Sequence, residues 1–134
     1  MSAFSLQLTV EDISTTEAFY GGLLDLAISR IITAPGSPDM LVIRQDGCEL
    51  VFAEEHAVVK AHPLLEDRFA SFPKGVGVTL HFTVTDLDEI SDALEEEEID
   101  ILYPLAHQRY GGKELWCLDP DGYLIVLEEA IRSE

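Results

Sequence analysis

Residues 6–13 and 80–87 repeat one alternation of apolar and polar positions. In Leu6-Gln7-Leu8-Thr9-Val10-Glu11-Asp12-Ile13 and Leu80-His81-Phe82-Thr83-Val84-Thr85-Asp86-Leu87, four of the eight gapless pairs are identical. A period of two is the mark of a strand with one face on a packed core. Leu6, Leu8 and Val10 then oppose Ser5, Gln7 and Thr9, and Leu80, Phe82 and Val84 oppose Thr79, His81 and Thr83.

Each strand runs into helix-start chemistry. Ser14 with Glu17, and Asp86 with Glu89, have the spacing of a capping box. The pattern predicts helices over 15–24, covering the sheet with Phe19, Tyr20 and Leu23, and over 88–97, where Ile90 and Leu94 continue the face begun by Leu87. Glutamates 95–98 oppose the macrodipole at the second helix's C-terminus, which should be loose. Strands follow over 26–34, 40–44 and 48–53, the last two joined by an Asp46-Gly47 hairpin. A turn over 35–39 precedes them. The second half repeats the order with strands over 100–103, 114–118 and 123–128, turning at Asp119-Pro120-Asp121-Gly122.

Each half is thus βαβββ, with a joining segment that holds a short helix over 63–70. The expected fold class is α+β: module one at about 4–54, a linker at about 55–77 and module two at about 78–130, in a single domain spanning 1–134. Neither half buries its apolar face alone. The two should pair about a pseudo-twofold axis into a curled, mostly antiparallel sheet around a cleft.

Composition narrows the function classes. The chain has 134 residues, 47% apolar and 25% charged, enough core for one folded unit and against disorder. Twenty-six acidic against eight basic residues give a net charge of −18. That charge repels phosphate backbones and anionic lipids, so no nucleic-acid or membrane partner is expected, whereas a cationic ligand is attracted. It also serves plain solubility. Cys48 and Cys117 form no disulfide framework or CxxC motif and read as reduced core residues. With no basic-then-apolar leader over 1–10 and no apolar run near the roughly 18 residues that cross a bilayer, the expected location is cytoplasmic.

The openings over 6–20 and 80–94, the Val10-to-Ile13 strand exit followed by Phe19-Tyr20, and the closing stretch 114–123 with its Asp-Pro-Asp-Gly-Tyr hairpin resemble the vicinal oxygen chelate superfamily. That superfamily includes glyoxalase I, extradiol dioxygenases, fosfomycin-resistance enzymes and bleomycin-resistance proteins. The resemblance covers nearly the whole chain and is specific for the fold, not for a reaction. It also implies a homodimer.

In metal-dependent members, ligands come from a position five residues before the strand-exit Val and from the last strand of each half. Those positions here hold Ser5, Glu49, Thr79 and Val126, although counting from the Gly47 and Gly122 turns pairs Val51 with Val126 instead. One carboxylate makes no catalytic metal site, which takes about three protein ligands. A displaced set of Gln7, His81 and Glu49 has the chemistry for zinc, nickel or iron. Strand side chains two residues apart stand about 7 Å away, however, which favours His81 as a cleft-lining hydrogen-bonding group. His56, His62 and His107 fall in loops and read as solvated. No nucleophile elbow, phosphate loop or dinucleotide motif occurs. The expectation is no metal, no cofactor and no catalytic residue.

The resemblance then points to the metal-free, bleomycin-resistance-like branch, whose aromatic-Gly-basic-Glu-apolar segment is matched by Tyr110-Gly111-Gly112-Lys113-Glu114-Leu115. The implied function is metal-independent sequestration of a hydrophobic, aromatic or cationic compound such as an antibiotic. Trp116, Tyr103, Tyr110, Phe52 and Met40 are candidate walls, Tyr103 and Tyr110 as a lid. Gln7, Glu49 and His81 are the candidate polar contacts. Trp116 fits the core as well as a pocket, and the acid-rich run 86–100 reads as a solvated helix face. Two alternatives stand: a metal-dependent glyoxalase-like lyase, isomerase or dioxygenase with a displaced metal site, and a metabolite-sensing module.

Overall fold

Apolar strand faces that alternate with polar ones pair here into two separate four-stranded sheets, one in each half of the chain. The computed structural model describes residues 4–32, 35, 39–109 and 112–129. The chain divides into two compact units, Met1–Ser71 and Phe72–Glu134, so the segment over 55–71 belongs with the first. Each unit carries one α+β module. No helix among the described residues is long and apolar enough to cross a membrane.

In the first unit β1 (Ser5–Val10) leads into α1 (Ile13–Glu17), which widens into a π-helical turn over Ala18–Leu23. Strands β2 (Ile28–Ile31), β3 (Met40–Gln45) and β4 (Cys48–Glu54) follow. The sheet order is β1-β4-β3-β2, with β1 parallel to β4 and the other pairs antiparallel. The expected strand over 26–34 is shorter, and most of the turn expected after it lies outside the described residues. Asp46 and Gly47 both take positive φ, 49° and 80°, as a two-residue hairpin requires. At Gly21 a Cβ would come within 2.9 Å of Ile28 Cγ2, so the missing side chain lets the wide turn approach β2.

The first helix begins earlier than its Ser14 capping box predicts. Asp12 is the N-cap, accepting a hydrogen bond from the Ser14 N–H at 2.8 Å. An Asp accepts at this position at least as well as a Ser. The joining segment also differs. Helix α2 (Glu55–Ala61) continues directly from β4, and the expected 63–70 helix is a 3₁₀ turn over Pro63–Leu65 followed by α3 (Glu66–Phe69). Val58 and Val59, poor helix formers, hid α2 from the pattern.

The second unit holds β5 (Thr79–Thr83), α4 (Leu87–Glu96), β6 (Ile101–His107), β7 (Lys113–Leu118) and β8 (Leu124–Glu129). The order is β5-β8-β7-β6, again with the first pair parallel. Asp86 caps α4 as expected, accepting from the Glu89 N–H at 3.1 Å. Leu87, Ile90 and Leu94 are buried, as are Leu80 and Phe82 of β5, Leu115 and Cys117 of β7, and Ile125 and Leu127 of β8. Each such aliphatic side chain contributes roughly 1.5–3 kcal/mol. The helix ends at Glu96, where Glu98 takes φ 56° and Ile99 N–H closes back on the Leu94 carbonyl at 3.0 Å.

One device recurs in both modules. A glutamate at the end of the last strand accepts a hydrogen bond from the first backbone N–H of the helix: Glu54 from Ile13 at 3.1 Å, Glu129 from Leu87 at 2.8 Å. The carboxylate meets the positive end of the helix and ties it to the sheet. Glu129→Ala should cost about 1–2 kcal/mol in urea unfolding and Glu129→Gln, which keeps the acceptor, less than half of that. Equal losses would mean that charge rather than the bond matters.

The two cysteines part company. Cys48 is exposed beside the hairpin turn, contrary to its expected core position, because it is the first residue after Gly47. Cys117 is buried in β7, and burial, helped by the Asp119 carboxylate, pushes its thiol from 9.0 up to about 12. A thiol held protonated by the fold adds stability below its unfolded value near 9, and that share fades as pH rises toward 12. At pH 8 the native protein should therefore release one equivalent of thionitrobenzoate from Ellman's reagent and two after unfolding. Two native equivalents would contradict this burial.

Candidate ligand-binding face of the second module

The register of the second sheet sets four residues in a row, one on each strand. His81 pairs with Val126, Val126 with Trp116, and Trp116 with Tyr103. Paired residues project to the same side, opposite the apolar face closed by Leu115, Cys117, Ile125 and Leu127. The neighbouring row holds Thr83, Glu128, Glu114 and Ala106.

Side chains on this face bond between the rows. His81 Nδ1 lies 2.7 Å from Glu128 Oε1, and His81 Nε2 lies 3.2 Å from the Thr79 hydroxyl. A carboxylate only accepts, so Nδ1 carries the proton and donates to Glu128, and in the neutral ring Nε2 is the acceptor for the Thr79 hydroxyl. The His81 and Glu128 side chains are 52% and 45% exposed, so this chain is open to solvent. Trp116 Nε1–H donates to Glu114 Oε1 at 2.6 Å. The Tyr103 ring meets the indole edge-on, centroids 5.4 Å apart at 84°.

Of the residues expected at the site, His81, Trp116 and Tyr103 come together here. Trp116 is half-buried on the side opposite the helix-covered face, next to a fully buried Val126. Tyr103 sits in β6, which runs to His107 with two register shifts, so it is part of the sheet surface and not of a lid. Tyr110 lies outside the described residues. Gln7, Glu49, Met40 and Phe52 belong to the first module. Gln7 is exposed opposite Val51, Met40 is half-buried at the start of β3, and Glu49 is ion-paired with Arg44 at 3.0 Å. Phe52 corrects the expectation: fully buried, it packs on Tyr20 with centroids 4.8 Å apart. Its parity with Leu50 puts it on the helix-covered face, away from Glu49 and Val51.

Glu114 and Glu128 were absent from the expected set. Their parity with Trp116 and Val126 was available in the sequence, but their partners depend on which strands pair. His56, His62 and His107 are exposed and take no part.

A family model described as the Glyoxalase/Bleomycin resistance protein/Dioxygenase superfamily matches residues 3–127. The chain belongs to that superfamily. Solved structures share its fold. A hypothetical protein from S. aureus aligns with TM-score 0.71 at 14% identity, over 97% of this chain and 95% of its own. A family enzyme from Burkholderia phytofirmans aligns at TM-score 0.70 and 16% identity, over 98% and 100%. TioX from Micromonospora sp. ML1 aligns at 0.62 and 14%, over 99% of each chain. No curated protein matches. At these identities the likeness establishes the fold alone.

The superfamily's metal positions can now be placed by register. Gln7 pairs with Val51 as its repeat equivalent His81 pairs with Val126, so the equivalent last-strand residues are Val51 and Val126. Glu49 drops out: it stands opposite Ser5 and answers to Leu124. Two hydroxyls, Ser5 and Thr79, and two valines have no donor set for a divalent ion. Among the described residues no group of three or more His, Cys, Asp or Glu is arranged to hold one. The residues present do not fit the metal.

Proposed function

We propose that this superfamily member is a metal-independent binding protein that holds a hydrophobic, aromatic or cationic compound, such as an antibiotic, without transforming it through a metal. The observation that carries this reading is the Tyr103–Trp116 edge-on pair standing beside two carboxylates, Glu114 and Glu128, which are direct cross-strand partners. An aromatic wall offers stacking area, and adjacent carboxylates favour a positive guest. Net charge of −18 raises the local concentration of such a guest. A second copy of the chain as dimer partner belongs to the same proposal.

Trp116 is the single tryptophan of the chain, so its emission reports on this face alone. Titration with proflavine, a planar cation, should quench it saturably and raise the melting temperature by mass action, equally with and without EDTA. Quenching that vanishes with EDTA would favour a displaced metal site. Survival of expressing cells exposed to a bound antibiotic separates sequestration from metabolite sensing.

A further inference from the structure

Beside its aromatic pair this face carries a hydroxyl–imidazole–carboxylate chain, Thr79–His81–Glu128, wholly within the second module. Glu128 accepts a hydrogen bond from Nδ1–H at 2.7 Å, which fixes the tautomer and the ring's orientation and balances the charge that the ring gains when Nε2 takes a proton. Nε2 is the basic nitrogen, held by the Thr79 hydroxyl at 3.2 Å, a long contact that a rotation of the Thr79 side chain releases. In the same row stands Trp116, two strands away, about 10 Å between Cα atoms. Between them in the row stands Val126, whose side chain is fully buried, and a guest that spans indole and imidazole lies over this position.

We infer that His81 is a general base for proton abstraction from a planar aromatic or conjugated carbonyl compound held against Trp116, with Glu128 as its positioning residue. The step moves one proton and is redox-neutral. A C–H bond acidified by a carbonyl or ring heteroatom breaks, its proton goes to His81 Nε2, and its electron pair enters the guest's conjugated system. The proton then returns to another carbon of the guest, or to solvent when a leaving group carries off the electrons. The inference shares the aromatic wall of the binding proposal and adds a reaction to it.

The test uses 5-nitrobenzisoxazole with the full-length protein. His81 Nε2 takes the ring C–H proton, the C–H pair becomes part of the nitrile, the N–O bond breaks and the oxygen leaves as a coloured phenolate. Positioned general bases give about 10²–10⁴-fold, so saturable turnover about a hundredfold above an equal concentration of free imidazole is expected. His81→Gln and His81→Asn should each lose at least tenfold. Glu128→Gln should lower kcat about fivefold with KM held within twofold, and Glu128→Asp should restore part of it. Thr79→Ala should raise the rate about threefold by releasing Nε2. Either His81 variant keeping more than half of the rate overturns the assignment. So does an unchanged kcat in Glu128→Gln, or a tenfold fall in Thr79→Ala. Saturable Trp116 quenching by the probe with turnover no faster than imidazole overturns this inference and leaves the binding proposal standing. Turnover without saturable quenching overturns both, since each seats the guest against Trp116.

Discussion

Gly122→Ala is expected to lower the unfolding free energy by about 3–5 kcal/mol, more than any surface substitution in this chain. Gly122 takes φ 89°, a conformation that costs an L side chain about 1–3 kcal/mol. It is also crowded: a Cβ there would stand 2.5 Å from Pro73 Cβ, 2.9 Å from Pro73 Cα and 3.2 Å from Phe72 Cε2. Pro73 Cα is backbone and cannot swing aside. Gly47 supplies the control, since its φ of 80° is similar but nothing lies within 4 Å of a Cβ there. Gly47→Ala should therefore cost only about 1–2 kcal/mol, and the difference in urea midpoint isolates the crowding. Equal losses at the two glycines would show that residues 72–73 yield.

The consequence reaches the ligand face. Asp119 Oδ1 accepts from the backbone N–H groups of Asp121 and Tyr123, each at 2.9 Å, and Lys74 N–H reaches the Asp121 carbonyl at 3.1 Å. This turn sets the register between β7 and β8. A slip of one residue would turn the residues of one strand, Glu114 with Trp116 or Val126 with Glu128, to the helix-covered side. A variant that retains folding but loses Trp116 quenching by proflavine would reveal such a slip.

How much of this was legible beforehand follows from the range of each signal. The repeat of 6–13 in 80–87, the Asp46-Gly47 and Asp119-to-Gly122 turns and the Asp86 cap are local patterns, and all appear where the residues place them. Local competition decided the smaller departures. Asp12 took the cap from Ser14, and α2 grew from the end of β4 in spite of two valines. The candidate site depends on strand pairing, which no local pattern contains. His81 was readable as an outward residue of β5. Its bond to Glu128 exists because β5 runs parallel beside β8, 47 residues away in sequence. The matching β1–β4 pairing, which sets Glu49 opposite Ser5 and Val51 opposite Gln7, removed Glu49 from the metal positions. Phe52 was misplaced for a different reason: aromatic character suggested a wall, while alternation with Glu49 and Val51 already assigned it to the core.

Trp116→Ala should weaken proflavine binding by about thirtyfold or more, the effect of removing a central aromatic anchor worth about 2 kcal/mol. The indole is the pivot of the face, holding Tyr103 edge-on at 5.4 Å and Glu114 by its N–H at 2.6 Å. Its removal therefore takes the stacking surface and frees both neighbours to rotate. Because the variant has no tryptophan, affinity is read from proflavine's own fluorescence or by calorimetry. Glu114→Gln separates charge from shape. It keeps an acceptor for the indole, so acridone, a neutral tricyclic of similar outline, should bind as before, while proflavine weakens about three- to tenfold. Raising salt should narrow the gap between the two compounds, since screening acts on the charged guest alone. If both compounds weaken equally in Glu114→Gln, the carboxylate serves to hold Trp116 in place, and the preference for cations has to be sought at Glu128.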